Sequence, residues 1–207
     1  MSERPTIHIV DDDPSIRKSL ARLVGSVGYR CVGYGSAEDF LRDVDADASG
    51  CVVIDLELPD MDGFGLHDAL SSGPCALPAI FLTGTGDIPA SVRAMKAGAV
   101  DFLAKPVEDE VLLETIEEAL ARNAATRASL AASDDLRYRL VTLTPRERQV
   151  LDLVVLGRQS KEIAAELGTA VKTIKVHRAS MMQKMGMPNL AYLVRAMVEF
   201  RSKDEGL

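Results

Sequence analysis

The stretch Cys51-Val52-Val53-Ile54-Asp55-Leu56-Glu57-Leu58-Pro59-Asp60-Met61-Asp62-Gly63 decides the fold. Cys51 to Ile54 form an unbroken apolar run. A strand with no polar face is covered on both sides, as central strands of parallel sheets are. The run stops on a carboxylate, Asp55, and turn-forming residues follow as far as Gly63. Sites in parallel α/β folds lie beyond the carboxyl ends of the strands, which is where Asp55 falls.

Outward from this strand, the pattern alternates. Residues 6–10 read as a first strand, and residues 14–27 as a helix with Ile16, Leu20, Leu23 and Val27 on one face. Residues 29–34 read as a second strand, and Ser36 as the cap of a helix carrying Phe40, Leu41 and Val44. After the central strand come a helix at 65–70, a strand at 79–82, a helix at 89–97 closed by Gly98, a strand at 100–103 and a helix at 108–121. Five strand–helix units in series predict an α/β fold, a doubly wound five-stranded parallel sheet.

The polar residues at the strand ends form a set. Asp11-Asp12-Asp13 follow the first strand, Asp55 ends the third, Thr83-Gly84 end the fourth and Lys105-Pro106 follow the fifth. Carboxylates gathered so closely either keep protons or hold a cation. Hard oxygen ligands favour Mg2+, or Mn2+, over zinc. One aspartate then suits nucleophilic acceptance of a phosphoryl group, with Thr83 and Lys105 on the remaining phosphoryl oxygens. Taken singly, Asp13 reads as a helix cap, Asp60 and Asp62 as turn formers at Gly63, Thr83 as a strand residue and Lys105 as a surface lysine. Their joint placement in strand order argues for a site.

Residues 5–121 resemble the receiver domain of two-component signalling, which has a flavodoxin/CheY-like fold. The resemblance rests on the acidic pair, the Asp-x-x-x-Pro segment at Asp55, Thr83 and Lys105-Pro106. The stretches Thr83-Gly84-Thr85-Gly86-Asp87 and Met95-Lys96-Ala97-Gly98-Ala99-Val100-Asp101-Phe102 are similar to the FixJ branch. The resemblance implies that Asp55 accepts a phosphoryl group from a sensor histidine kinase. It also implies that Asp12, Asp55 and the Glu57 backbone carbonyl hold Mg2+, with Asp11 assisting, and that Thr83 and Lys105 contact the phosphoryl group. Phe102 stands at the family's aromatic switch position without a hydroxyl, so a switch there runs on ring packing; a plain core phenylalanine is the competing reading.

The remaining chain reads as a different domain. Residues 122–141 are Ala-rich and suit a linker, helical if the fifth helix continues. Leu143-Thr144-Pro145-Arg146-Glu147-Arg148 opens a helix capped by Thr144, with Glu147 completing a capping box. Residues 160–167 form a short helix, residues 171–185 a longer one with Ile174, Met181, Met182 and Met185 inward, and residues 190–200 a fourth. A short helix, a tight turn and a basic helix predict a helix-turn-helix within an all-α four-helix domain. Lys172, Lys175, Arg178 and Lys184 supply the positive charge.

Residues 142–200 resemble the LuxR-type DNA-binding domain of FixJ- and NarL-like regulators. The matching segments are Leu143 to Arg148, Ser160 to Leu167, and Lys172-Thr173-Ile174-Lys175-Val176-His177 running to Lys184-Met185-Gly186. The resemblance implies base contacts from Lys175 and Val176, and phosphate contacts from Lys161, Lys172, Thr173, His177 and Arg178. Two positions depart from the pattern. Ala170 stands where Ser or Thr usually caps the recognition helix, so Thr169 is an alternative cap one residue earlier, and Ala179 offers a base only an apolar contact.

Bulk properties agree with this division. The net charge of −7 combines an acidic segment 1–137, with 12 Lys and Arg against 24 Asp and Glu, and a basic segment 138–207, with 12 against 7. Only the second half suits a polyanion. Cys31, Cys51 and Cys75 are too scattered for a zinc site or an evident disulfide. No apolar run is long enough for a bilayer, and Met1 to Pro5 lack signal-peptide character, so a cytoplasmic protein without membrane partners is expected.

The expected domains are a receiver at 1–121, a linker at 122–141 and a helix-turn-helix domain at 142–207. The expected partners are a sensor histidine kinase, double-stranded promoter DNA, RNA polymerase and, on phosphorylation, a second copy of the chain. The expected role is that of a regulator and not of an enzyme. A small-molecule phosphatase of the haloacid-dehalogenase type needs a second acid two residues beyond the nucleophile as Asp, where this chain has Glu57. A nucleotide-binding reading fails because Gly33-Tyr34-Gly35 and Gly84-Thr85-Gly86 are fragments of GxGxxG that do not follow the first strand. A receiver that serves only protein contacts would leave the acidic site without a task.

Overall fold

The computed structural model describes residues 4–73, 75, 77–84 and 88–204. The sequence readings at Met1-Ser2-Glu3 and Thr85-Gly86-Asp87 therefore lie outside the described residues. Two compact units are present, Met1–Arg127 and Ala128–Leu207.

In the first unit β1 (Thr6–Val10), β2 (Arg30–Tyr34), β3 (Gly50–Asp55), β4 (Ala79–Thr83) and β5 (Asp101–Ala104) form one sheet in the order β2-β1-β3-β4-β5. Every pairing is parallel. The helices α1 (Pro14–Ser26), α2 (Ala37–Asp43), α3 (Gly63–Ser72), α4 (Ile88–Lys96) and the start of α5 (Asp109–Val141) alternate with the strands. Side-chain alternation along β3 splits the core: Val52 and Ile54 enter one cluster with Phe40, Phe64 and Phe81, while Cys51 and Val53 enter another with Leu112 and Ile116. All six β3 residues are buried, as the apolar run predicts.

The element boundaries moved in specific places. The third helix starts at Gly63, not 65, because Asp62 caps it, its carboxylate accepting from Gly65 N–H at 2.6 Å. Asp60 reaches beyond the turn at Gly63. Its carboxylate reaches 23 residues back and accepts from the N–H groups of Ala37 (3.2 Å) and Glu38 (2.8 Å), in the first turn of α2. Asp13 caps α1 as read, accepting from Ser15 N–H at 2.7 Å. The Ala-rich stretch is helical throughout, because α5 runs on to Val141. Asn123 is buried and accepts from Gly50 N–H at 3.2 Å, and Arg127 donates to the Asp47 and Ala48 carbonyls at 2.6 and 3.1 Å. These contacts extend the first unit's hold on α5 past residue 121.

The second unit contains α6 (Pro145–Val155), α7 (Ser160–Glu166), α8 (Val171–Met185) and α9 (Leu190–Asp204). Leu136 joins Val150, Leu151, Ile163, Ile174, Met181, Met185, Leu193 and Met197 in its core. The Thr144–Glu147 capping box forms as predicted. Ala170, not Thr169, is the N-cap of α8 and supplies no side-chain cap, so this helix begins without the usual hydroxyl acceptor. Gly186 closes α8 with φ +60, a left-handed conformation that favours glycine, and a Cβ there would push aside the Arg139 guanidinium.

Candidate functional site

Parallel strands in register bring distant residues to one sheet end. β1 delivers Asp11 and Asp12, β3 delivers Asp55, β4 delivers Thr83, and the chain leaving β5 delivers Lys105. Asp55 pairs with Leu82, Thr83 pairs with Ala104, and Lys105 N–H donates to the Thr83 carbonyl at 2.7 Å. The four segments named from sequence therefore converge. Asp11, Asp55 and Thr83 are buried, and Asp12 is exposed.

Lys105 ties the cluster together. Its Nζ lies 2.7 Å from Asp11 Oδ2 and 2.8 Å from Asp55 Oδ2. Burial works against the ammonium charge, but hydrogen bonds to Asp11 and Asp55 and their charges outweigh it and raise the Lys105 pKa above the ordinary value. Asp11 Oδ1 accepts from Asp13 N–H at 2.9 Å, and Asp55 Oδ1 from Glu57 N–H at 3.4 Å. Gly63 packs against the end of β3, where a Cβ would come within 2.6 Å of the Asp55 carbonyl. Glu57 is exposed, on the loop that follows β3.

Asp11, Asp12 and Asp55 each offer a carboxylate oxygen, and these atoms lie within 4.8 Å of one another. Three anionic hard donors beside a single ammonium form a set suited to a divalent ion that keeps part of its water shell. Phe102 is half-buried against the cluster holding Phe64 and Phe81, and it pairs in register with Phe81.

The second unit presents a different chemistry. α7 and α8 flank a four-residue turn, Leu167 to Ala170. Ile174, Met181 and Met185 face inward, so Lys172, Lys175, Val176 and Ala179 share the exposed side of α8. Val176 is 61% exposed, next to Lys175 and one turn from Lys172, an apolar spot beside two lysines. Lys161 and Thr173 are also exposed, while His177 and Arg178 are half-buried.

Two basic residues have internal duties that sequence reading missed. Lys184 does not add free charge to α8: its Nζ pairs with Glu147 Oε2 at 2.7 Å and donates to the Thr142 carbonyl at 3.1 Å. Arg178 Nη1 donates to Ser160 Oγ at 3.0 Å, fastening α8 to the first residue of α7. The spacing carried no signal for either contact, because each bridges separate helices.

Glu147 is buried at 3% exposure and also accepts from Ser180 Oγ at 2.6 Å and Thr144 N–H at 2.8 Å. Lys184, then Ser180 and the Thr144 amide, hold its carboxyl at about 2. A depressed carboxyl pKa stabilises the fold above the unfolded value, near 4.3, and the contribution fades as pH falls toward 2. Glu147→Gln should therefore cost about 2 kcal/mol at pH 7 and progressively less at lower pH, as read by urea unfolding of the second unit in the full chain. An equal cost at pH 7 and pH 3 would deny the ion pair this role.

Comparison with known proteins follows the same division. Residues 7–117 match the family model described as response regulator receiver domain, and residues 141–197 match that of bacterial regulatory proteins, luxR family. The chain is 45% identical over 190 residues to the transcriptional regulatory protein FixJ of Rhizobium meliloti, covering 92% of this chain and 93% of that one. It is 40% identical over 205 residues to the response regulator protein TodT of Pseudomonas putida, covering 99% and 89%. The solved structure of the response regulator StyR superposes with a TM-score of 0.84 at 42% identity, covering 95% of this chain and all of that one.

Proposed function

The chain belongs to the response regulators that join a receiver domain to a LuxR-type DNA-binding domain, and from that premise we propose that Asp55 is its phosphoacceptor and that α7 and α8 form its promoter-reading surface. As a member it is a phosphorylation-activated regulator of transcription. The observation that carries the proposal is the meeting of Asp11, Asp12 and Asp55 with the Lys105 ammonium at one end of the sheet.

An Asp55 carboxylate oxygen attacks the phosphorus of a phosphohistidine on a sensor histidine kinase. A P–O bond forms, the P–N bond breaks and the imidazole leaves with a proton from solvent. Asp12, Asp55 and the Glu57 carbonyl, with Asp11 assisting, would hold Mg2+ or Mn2+, which would neutralise the charge of an incoming phosphoryl group. Lys105 holds one of the phosphoryl oxygens that replace its present contact with Asp55, and the Thr83 hydroxyl holds another. Thr83 shifts toward the phosphoryl group, and Phe102 turns into the space released. The altered surface around α4 and β5 then pairs with that of a second copy. A full swing from 1:99 to 99:1 requires about 5.5 kcal/mol of differential stabilisation.

Residues 1–121 act as the receiver, 122–141 as the connecting segment and 142–207 as the DNA-binding domain. Lys175 and Val176 read bases, while Lys161, Lys172, Thr173, His177 and Arg178 hold phosphates and keep α8 in register. Among the described residues no helix is long and apolar enough to cross a membrane. The reading places the protein in the cytoplasm, where the kinase, promoter DNA and RNA polymerase meet it.

The test is a selection of DNA sites with unmodified protein and with protein treated with acetyl phosphate and Mg2+. Phosphate uptake that requires Mg2+, together with tighter or more selective binding after treatment, is the expected result. Identical affinity and site preference in both states, despite uptake, would remove phosphorylation from control of DNA binding.

A further inference from the structure

Arg17 lies in α1, outside the set of residues assigned to the acidic site. Its Nη1 donates to the Asp11 backbone carbonyl at 2.5 Å. The Asp11 N–H donates to the Tyr34 carbonyl at 3.2 Å, Asp11 Oδ1 accepts from Asp13 N–H, and Asp11 Oδ2 accepts from Lys105. Arg17 therefore holds the one polar group of Asp11 that its other neighbours leave over. That carbonyl belongs to the same planar peptide unit as the Asp12 N–H, so holding it fixes the direction in which Asp12 leaves the strand. Asp12 is the exposed member of the three-carboxylate cluster and has the most freedom to lose.

The Arg17 side chain runs along Gly33 and Gly35. A Cβ on Gly33 would stand 3.5 Å from Arg17 Cδ, and one on Gly35 would stand 3.7 Å from Nη1.

We infer that Arg17 is a positioning residue for the cation site: it fixes the Asp11–Asp12 peptide, with its side chain packed along Gly33 and Gly35. The inference deepens the phosphoacceptor reading and rests on it. Outer-shell partners of metal ligands typically contribute about tenfold or more to metal affinity.

The experiment uses the full chain, with Arg17→Ala, Arg17→Lys and Gly35→Val beside the wild type. Mn2+ affinity is measured by water-proton relaxation, Mg2+ dependence by phosphate uptake from acetyl phosphate, and folding by thermal unfolding without metal. Arg17→Ala should weaken Mn2+ binding and raise the half-saturating Mg2+ concentration by about tenfold. Its uptake rate at saturating Mg2+ should stay within about twofold of wild type, because Asp55, Thr83 and Lys105 are intact. Arg17→Lys keeps a charge and a donor and should recover most of the loss, while Gly35→Val should shift in the direction of Arg17→Ala. An unchanged Mn2+ affinity in Arg17→Ala overturns the inference. So does a saturated rate that falls with thermal stability while the Mg2+ dependence stays put. A wild type that takes up no phosphate defeats the phosphoacceptor reading instead, and the two failures are thereby distinct.

Discussion

Asp55→Asn is expected to abolish phosphate uptake from acetyl phosphate and to leave promoter affinity at its unphosphorylated level, whatever the Mg2+ concentration. The amide keeps the volume of the carboxylate and still offers an oxygen to Lys105, which now lies 2.8 Å from Asp55 Oδ2. Folding should therefore survive, and circular dichroism should match the wild type. Chemistry should not survive, because an amide oxygen is a poor nucleophile and the substitution takes one negative charge from the three-carboxylate cluster. The neighbouring Asp11 is poorly placed to substitute, since one of its oxygens is held by Asp13 N–H and the other by Lys105. Uptake persisting at the wild-type level in Asp55→Asn would mean that another group accepts the phosphoryl, and the site would have to be reassigned. Lys105→Ala, by contrast, should retain slow uptake, since it removes a contact and not the nucleophile.

The second large effect concerns DNA. Joint replacement of Lys172 and Lys175 with Ala should weaken binding to a selected promoter site about 100-fold near physiological salt. One lost phosphate contact and one lost base contact of about 1–3 kcal/mol account for that size. The slope of log affinity against log salt should become shallower by about 0.9 for the phosphate contact at Lys172. The single Lys175→Ala change should also narrow the gap between promoter and random DNA, which Lys172→Ala should leave almost unchanged. Lys184 serves as the internal control: with its ammonium committed to Glu147, Lys184→Ala should lower stability while the salt slope holds. A salt slope indifferent to both Lys172 and Lys175 would place the interface on another face of the domain.

Much of this was legible in the residue order because it depends on periodicity and on strand ends. The apolar run at residues 51–54 announced a central strand, and β3 is buried along its whole length. Once a parallel sheet was granted, strand ends had to meet, and the meeting of Asp11, Asp12, Asp55 and Lys105 followed without any knowledge of side-chain rotamers. The capping box at Thr144 and Glu147 was equally readable, since its partners are three residues apart.

What escaped was the set of contacts between residues distant in sequence that no pattern links. Glu147 was visible as a cap but not as the buried acceptor of Ser180 and Lys184, which reach it from 33 and 37 residues away. Arg17 sits on an amphipathic helix, and its hydrogen bond to the Asp11 carbonyl is a contact that helical periodicity does not announce. The course of α5 through Val141 was ambiguous because Ala-rich polar sequence suits a helix and a tether alike. Burial of Asn123 decides part of it, and burial of a single asparagine leaves no trace in composition.

Asp60 carries one last consequence. Its carboxylate is spent on the amides of Ala37 and Glu38, so the segment between Asp55 and α3 is moored to a helix that precedes it in the chain. Those two amides should exchange with deuterium only when the mooring slips. Their protection, followed before and after acyl phosphate formation, would thus act as a remote gauge of how firmly the segment beside Asp55 is held during a signalling cycle.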